Sequence, residues 1–388
     1  MEFLANYIAQ VKKEDLYRYP VAYEPLDAVH VGLEGKKYLL LASNNYLGLT
    51  HSLAVKGAAM QAIDQYGTGS GGARLTTGSH PLYTKLEQDL ARFKGTEAAV
   101  VFNTGYMANI GIITAVTGPE DVIFSDELNH GSIIDGCRLA KGQRIIYRHA
   151  DMKHLAEVLE STPCSGRRLI VTDGVFSMDG DIAPLDRIVS LAESYQAMVM
   201  VDDAHAMGVL GRGGRGSVDY FGLNGRVAIQ MGTLSKSLAA EGGYVAGSKQ
   251  LIDYIVNKAR SFIFSTALSA GTVAAAQAAL WELEEKPELV QKLLDNAQFM
   301  RQELIAAGLQ VAGEITPILP ILIGEAGLTV EMARRLKEEG LIVSAIRPPT
   351  VMPGTSRLRL TLSAAHHQAE LVKAIHSIIK VSRELKII

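Results

Sequence analysis

The stretch 197–205, AMVMVDDAH, decides the fold. Residues 197–201 are apolar at every position and rich in valine. They lack the alternation of a strand with one wet face, so the run reads as a strand covered on both sides. It follows an amphipathic helical pattern over 185–195 and stops abruptly at Asp202-Asp203-Ala204-His205. The same unit recurs outward in both directions. Apolar runs lie at 98–102, 122–124, 144–147, 168–172, 227–231 and 243–246, with helical patterns such as 155–160 between them. Strand, helix, strand at this spacing predicts an α/β fold with a mostly parallel seven-stranded sheet.

Beyond Gly271 the texture changes. Helical patterns cover 274–285, 288–307, 329–339 and 368–385, and strand candidates cover 318–323, 342–345 and 357–362. These predict a smaller α+β domain. The expected division is an N-terminal segment, 1–45, with a helix and a hairpin around 32–36, then a large domain, 46–275, and a small domain, 276–388.

Composition narrows the function classes. The 388 residues are 48% hydrophobic and 20% charged, a globular profile. With 38 Lys+Arg against 41 Asp+Glu there is no basic surplus to neutralise nucleic acid. Cys137 and Cys164 alone make neither a disulfide framework nor a four-cysteine zinc site, and read as reduced thiols. The N-terminus has no continuous apolar core, and no uninterrupted apolar stretch reaches about 18 residues. A cytoplasmic protein without membrane or metal partners is expected.

Ligands of open α/β sheets bind at the carboxyl ends of the strands. There the sequence places Asn103-Thr104-Gly105-Tyr106, Asp126-Glu127-Leu128-Asn129-His130, Asp173-Gly174-Val175-Phe176-Ser177, Asp202-Asp203-Ala204-His205 and Gly232-Thr233-Leu234-Ser235-Lys236. These residue types suit pyridoxal 5'-phosphate (PLP), which needs a lysine for a Schiff base and a carboxylate on its pyridine nitrogen. Lys236 supplies the amine and Asp202 the carboxylate. His205 suits the ring hydroxyl, and His130 a stack on the ring. The N–H groups of Gly105 and Tyr106 open a helix, where a phosphate is favoured, with Ser177 and Thr233 hydroxyls beside it. Other patterns carry less. Gly67-Thr68-Gly69-Ser70-Gly71-Gly72 fits a dinucleotide fingerprint but follows a helical pattern rather than a strand. No G-x-S-x-G elbow of a hydrolase occurs.

Ordered motifs along nearly the whole chain carry a resemblance. They are Ser43-Asn44-Asn45-Tyr46-Leu47-Gly48-Leu49, Gly69-Ser70-Gly71-Gly72-Ala73-Arg74, Leu128-Asn129-His130-Gly131-Ser132 and Asp173-Gly174-Val175-Phe176-Ser177-Met178-Asp179-Gly180-Asp181. Val201-Asp202-Asp203-Ala204-His205, Gly232-Thr233-Leu234-Ser235-Lys236, Phe264-Ser265-Thr266 and Arg357-Leu358-Arg359-Leu360 complete the set. On these the chain resembles the α-oxoamine synthases, PLP-dependent transferases of the aspartate-aminotransferase fold (fold type I). The resemblance implies catalytic Lys236, His130, Asp202 and His205. It implies a homodimer in which Thr266 reaches the phosphate of the partner subunit. Arg359 and Asn45 match the positions that grip an amino-acid carboxylate. The segments Ala345-Ile346-Arg347-Pro348-Pro349-Thr350-Val351 and Arg18-Tyr19-Pro20-Val21 resemble one group in the family. That implies L-alanine and pimeloyl-CoA as substrates, with Arg18, Arg347 and Thr350 near the acyl chain, and glycine with acetyl-CoA as the alternative. Position 173, often Glu in the family, is Asp here, and the resemblance assigns it no role.

Overall fold

The computed structural model describes residues 1–13 and 16–388. A seven-stranded sheet runs in the order Ala98–Phe102, Gly243–Gly247, Ile229–Thr233, Ala197–Asp202, Arg168–Asp173, Val122–Asp126, Gln143–Tyr147. Gly243–Gly247 is antiparallel to both neighbours and the remaining pairs are parallel. The continuous apolar runs have the expected cause. Leu169, Val171 and Met200 pack on one face against Ile112, Ile133 and Ile252, while Ile170, Val199 and Val201 pack on the other against Leu155, Leu159 and Leu185.

Several strand boundaries differ from the sequence reading. The strand expected at 227–231 is Ile229–Thr233, because its ladder to Gly243–Gly247 starts at Ile229 and ends at Thr233. The runs expected to stop at 124, 172 and 201 extend to Asp126, Asp173 and Asp202. The pairing continues through the carboxylates, with Asp173 the partner of Asp202. Backbone hydrogen bonding, which apolar patterning does not register, sets these ends.

The N-terminal hairpin, His30–Leu33 with Lys36–Leu40, turns through Glu34 and Gly35, both at positive φ as its two-residue turn requires. A second antiparallel sheet orders Ile318–Gly324, Ser356–Thr361 and Ser344–Ile346. The single strand expected at 342–345 is two. Leu341–Ile342 pairs in parallel with Leu39–Leu40 of the hairpin, and Ser344–Ile346 pairs with Arg357–Arg359. The chain changes sheets at Val343. Among the described residues no helix is long and apolar enough to cross a membrane.

Candidate active site

The carboxyl ends of the large sheet enclose a cavity of about 220 Å³. Gly105, Tyr106, His130, Ser177, Asp202, His205, Thr233 and Lys236 all line it, with Asn109, Ser132, Asp173 and Ser235 among them. Helix Gly105–Val116 opens here behind Thr104, whose hydroxyl caps the N–H of Met107 at 3.0 Å. The N–H groups of Gly105 and Tyr106 precede any intrahelical partner and are left for a ligand. Gly105 packs closely here, since a Cβ there would meet Met231 Cε at 3.2 Å. The ring of Tyr106 is exposed, and its hydroxyl donates to Asp135.

Asp202 accepts from Asn109 Nδ2 at 2.7 Å and from the Ala204 N–H at 2.8 Å. The same Asn109 amide donates to Ser132 Oγ at 2.8 Å, which sits 2.7 Å from His130 Nδ1. The Ser132 N–H also points at His130 Nδ1, at 3.2 Å. Nδ1 is therefore the acceptor nitrogen, and the neutral ring carries its proton on Nε2. Burial, with Lys236 adding to it and Asp202 opposing, lowers the His130 pKa. His205 is held well below the usual histidine range by burial, then by Lys236 and Arg359. Its Nδ1 lies 2.7 Å from the Tyr46 hydroxyl, which burial pushes up to about 12. Tyr46 keeps its proton, and its hydroxyl also lies 3.4 Å from Asn44 Oδ1.

The Lys236 amine has no hydrogen-bond partner among the described residues, and burial draws its pKa down against the pull of Asp202 and Asp173. An amine kept partly free of water and unpartnered is ready to react. Arg359, buried on strand Ser356–Thr361, donates from Nε to the Ser177 carbonyl and from Nη2 to Asn44 Oδ1 at 3.2 Å. It joins the small sheet to the strand-end turn.

Other expected residues fall differently. Asn45 gives its amide to Thr50 Oγ1 (2.8 Å) and the Ala28 carbonyl (3.2 Å), so Asn44 rather than Asn45 accompanies Arg359. Both asparagines lie in one turn, and sequence alone does not say which faces inward. Thr233 donates its hydroxyl proton to the Gly242 carbonyl at 2.8 Å, and Ser235, given no role in the sequence reading, stands beside it at 2.7 Å. Thr266 is exposed, bridged to Ala73 and bound through its carbonyl to Asn103, and does not line this chain's cavity. Arg18, Arg347 and Thr350 also lie outside the lining but come together. Arg18 donates to Thr350 Oγ1 at 3.2 Å, and Arg347 to the Tyr17 carbonyl at 3.5 Å. Asn109 and Ser132 were missed as site residues because they act through other side chains. His366 is structural, since Nδ1 accepts the Ser363 N–H at 3.0 Å and burial lowers its pKa to about 4.

The donor set fits PLP. Free helix N–H groups and hydroxyls suit its phosphate, a buried carboxylate suits its ring nitrogen, and Lys236 is the uncommitted amine. Residues 36–378 match the family described as aminotransferase class I and II, and the chain belongs to that family. Within it the chain stands with the α-oxoamine synthases. It is 48% identical over 388 residues to the 8-amino-7-oxononanoate synthase of Geobacter sulfurreducens, covering 99% of each chain. It resembles the structure of a serine palmitoyltransferase from S. paucimobilis with bound PLP–myriocin, at 31% identity and a TM-score of 0.94, over 99% of this chain and 98% of that one. The 8-amino-7-oxononanoate synthase of Francisella tularensis aligns at 28% identity and a TM-score of 0.76, over 90% of this chain and 99% of that one. The fold is therefore that of a fold type I PLP-dependent transferase.

Proposed function

We propose that the chain joins L-alanine to pimeloyl-CoA with loss of CoA and carbon dioxide, giving 8-amino-7-oxononanoate for biotin biosynthesis. The observation that carries the chemistry is the convergence of Lys236, Asp202, His205 and His130 on one cavity beside an open helix N-terminus. Bound there, PLP supplies an electron sink for negative charge at the α-carbon of the amino acid. Asp202 would hold its pyridine nitrogen, His205 its ring oxygen, and His130 its face. The Gly105 and Tyr106 N–H groups with Ser177, Ser235 and Thr233 would hold its phosphate.

The side chains then divide the work. Arg359 and Asn44 orient the alanine carboxylate, for which a guanidinium fork is suited. The Lys236 amine removes the α-proton, a role its lowered pKa favours. The His130 Nε2–H donates to the thioester oxygen as charge builds on it. The thiolate of CoA departs, and the β-keto acid loses carbon dioxide. Arg18 and Arg347, with Thr350, face the distal carboxylate of the acyl chain. The enzyme works in the cytoplasm as a homodimer, with Thr266 of the partner subunit at the phosphate. The exposed Phe264 and Leu75 near that segment favour such an interface.

The test is a matrix of acyl-CoA thioesters and amino acids, read by CoA release. Pimeloyl-CoA with alanine is expected to be the best pair. A clear preference for acetyl-CoA with glycine would overturn this assignment. Sedimentation velocity checks the dimer.

A further inference from the structure

Three adjacent strands of the large sheet, Val122–Asp126, Arg168–Asp173 and Ala197–Asp202, end in aspartate, and all three carboxylates are buried. Asp173 is in the middle. It pairs in register with Asp202. On the other side Ser125 pairs with Val171, so Asp126 falls one residue short of Asp173 and projects to the opposite face of the sheet. Their donors are unequal. Asp202 accepts from Asn109 and the Ala204 N–H. Asp126 accepts from the N–H groups of Leu128 (2.9 Å) and Ala150 (3.0 Å), and from His149 at 2.9 Å. Asp173 accepts a single hydrogen bond, from the His130 N–H at 2.7 Å. Two buried carboxylates paired across one ladder cannot both hold a full charge cheaply, and the proton settles where donors are fewest.

We propose that Asp173 carries this proton and presents a carboxylic-acid O–H to the cavity, donating to the bound cofactor where Asp202 only accepts. The ligand half of the proposal rests on the PLP reading above. The charged surroundings agree. Burial and then Asp202 push the Asp173 pKa well above the carboxylate range, with Asp126 adding to them and the His130 N–H and Lys236 opposing. Tyr147, also near, stays neutral through burial and brings no compensating cation.

Infrared spectra of the holoenzyme at neutral pH test the proton directly. A protonated-carboxyl carbonyl band is expected in the natural protein and is lost in Asp173→Asn. Asparagine keeps a neutral donor and an acceptor of the same shape, so Asp173→Asn is expected to change PLP affinity by no more than about threefold, while Asp173→Ala weakens it about tenfold. Absence of the band difference overturns the proposal, as does a loss of PLP affinity in Asp173→Asn equal to that in Asp173→Ala. Failure of the PLP reading shows separately, as absence of borohydride labelling at Lys236. In that case the infrared band still decides where the proton resides.

Discussion

Asp173 and Asp202 face each other across one ladder of the large sheet, whereas Arg18 and Thr350 meet through a single 3.2 Å hydrogen bond between positions 332 residues apart. The first pair is buried and fixed by backbone register, and the second is exposed and fixed by two side chains. Groups around the cofactor pocket inherit their positions from hydrogen bonds that cannot shift without unpairing strands. Groups expected to face the acyl chain inherit theirs from a contact between two surface segments. The cofactor pocket is thereby anchored in the part of the molecule that tolerates least change, and the proposed acyl contact in a part that tolerates more.

The contrast can be broken most directly at Lys236. Lys236→Ala is expected to lower turnover on the order of 10³-fold, with the circular dichroism spectrum unchanged. Retained turnover would remove the amine from the chemistry. Beneath the same strand ends, Lys94 and Asp203 form a fully buried ion pair at 2.7 Å, and Asp203 also binds Ser217. Lys94→Met leaves that carboxylate unpaired and should cost roughly 3–5 kcal/mol in urea unfolding. A far smaller loss would mean that the register alone holds these loops.

Beside the end of strand Val122–Asp126, His149 bridges Asp126 (2.9 Å) and Asp181 (2.8 Å). Burial alone would lower its pKa, but the two carboxylates outweigh it and raise the value from 6.5 to about 10. The folded value lies above the unfolded one, so the stabilisation is complete below pH 6.5 and is lost as pH rises through about 10. Melting temperatures across that window should fall more steeply for the natural protein than for His149→Gln. Parallel curves would contradict the bridge. The smallest effect is expected at the exposed contact. Arg18→Ala should raise the KM for pimeloyl-CoA about threefold and leave the fold intact. An effect as large as that of Lys236→Ala would erase the distinction between the two regions.

Much of this was legible in the residues. Continuous β-branched runs gave the sheet, because strands packed on both faces need apolar side chains at every position. The chemistry-bearing residues after those runs were legible as well, since a parallel sheet gathers its strand ends on one edge. Other features depend on atoms that patterning does not see. The choice of Asn44 over Asn45 is made by a turn. The link from Asn109 through Ser132 to His130 joins a helix interior to the start of another helix, and neither residue is unusual in its place. Asp126, Asp173 and Asp202 read as residues after the strands, yet the strands include them, and this inclusion sets the carboxylates of Asp173 and Asp202 side by side.

The change of sheets at Val343 ties the two ends of the chain together. Residues 39–40 hold Leu341–Ile342, the three residues past the crossing pair with Arg357–Arg359, and Arg347 follows at once. The strand that carries Arg359 and the loop that carries Arg347 thus share an anchor with the first hairpin. A change near residue 40 would therefore be felt at both arginines together, far away in sequence from where it was made.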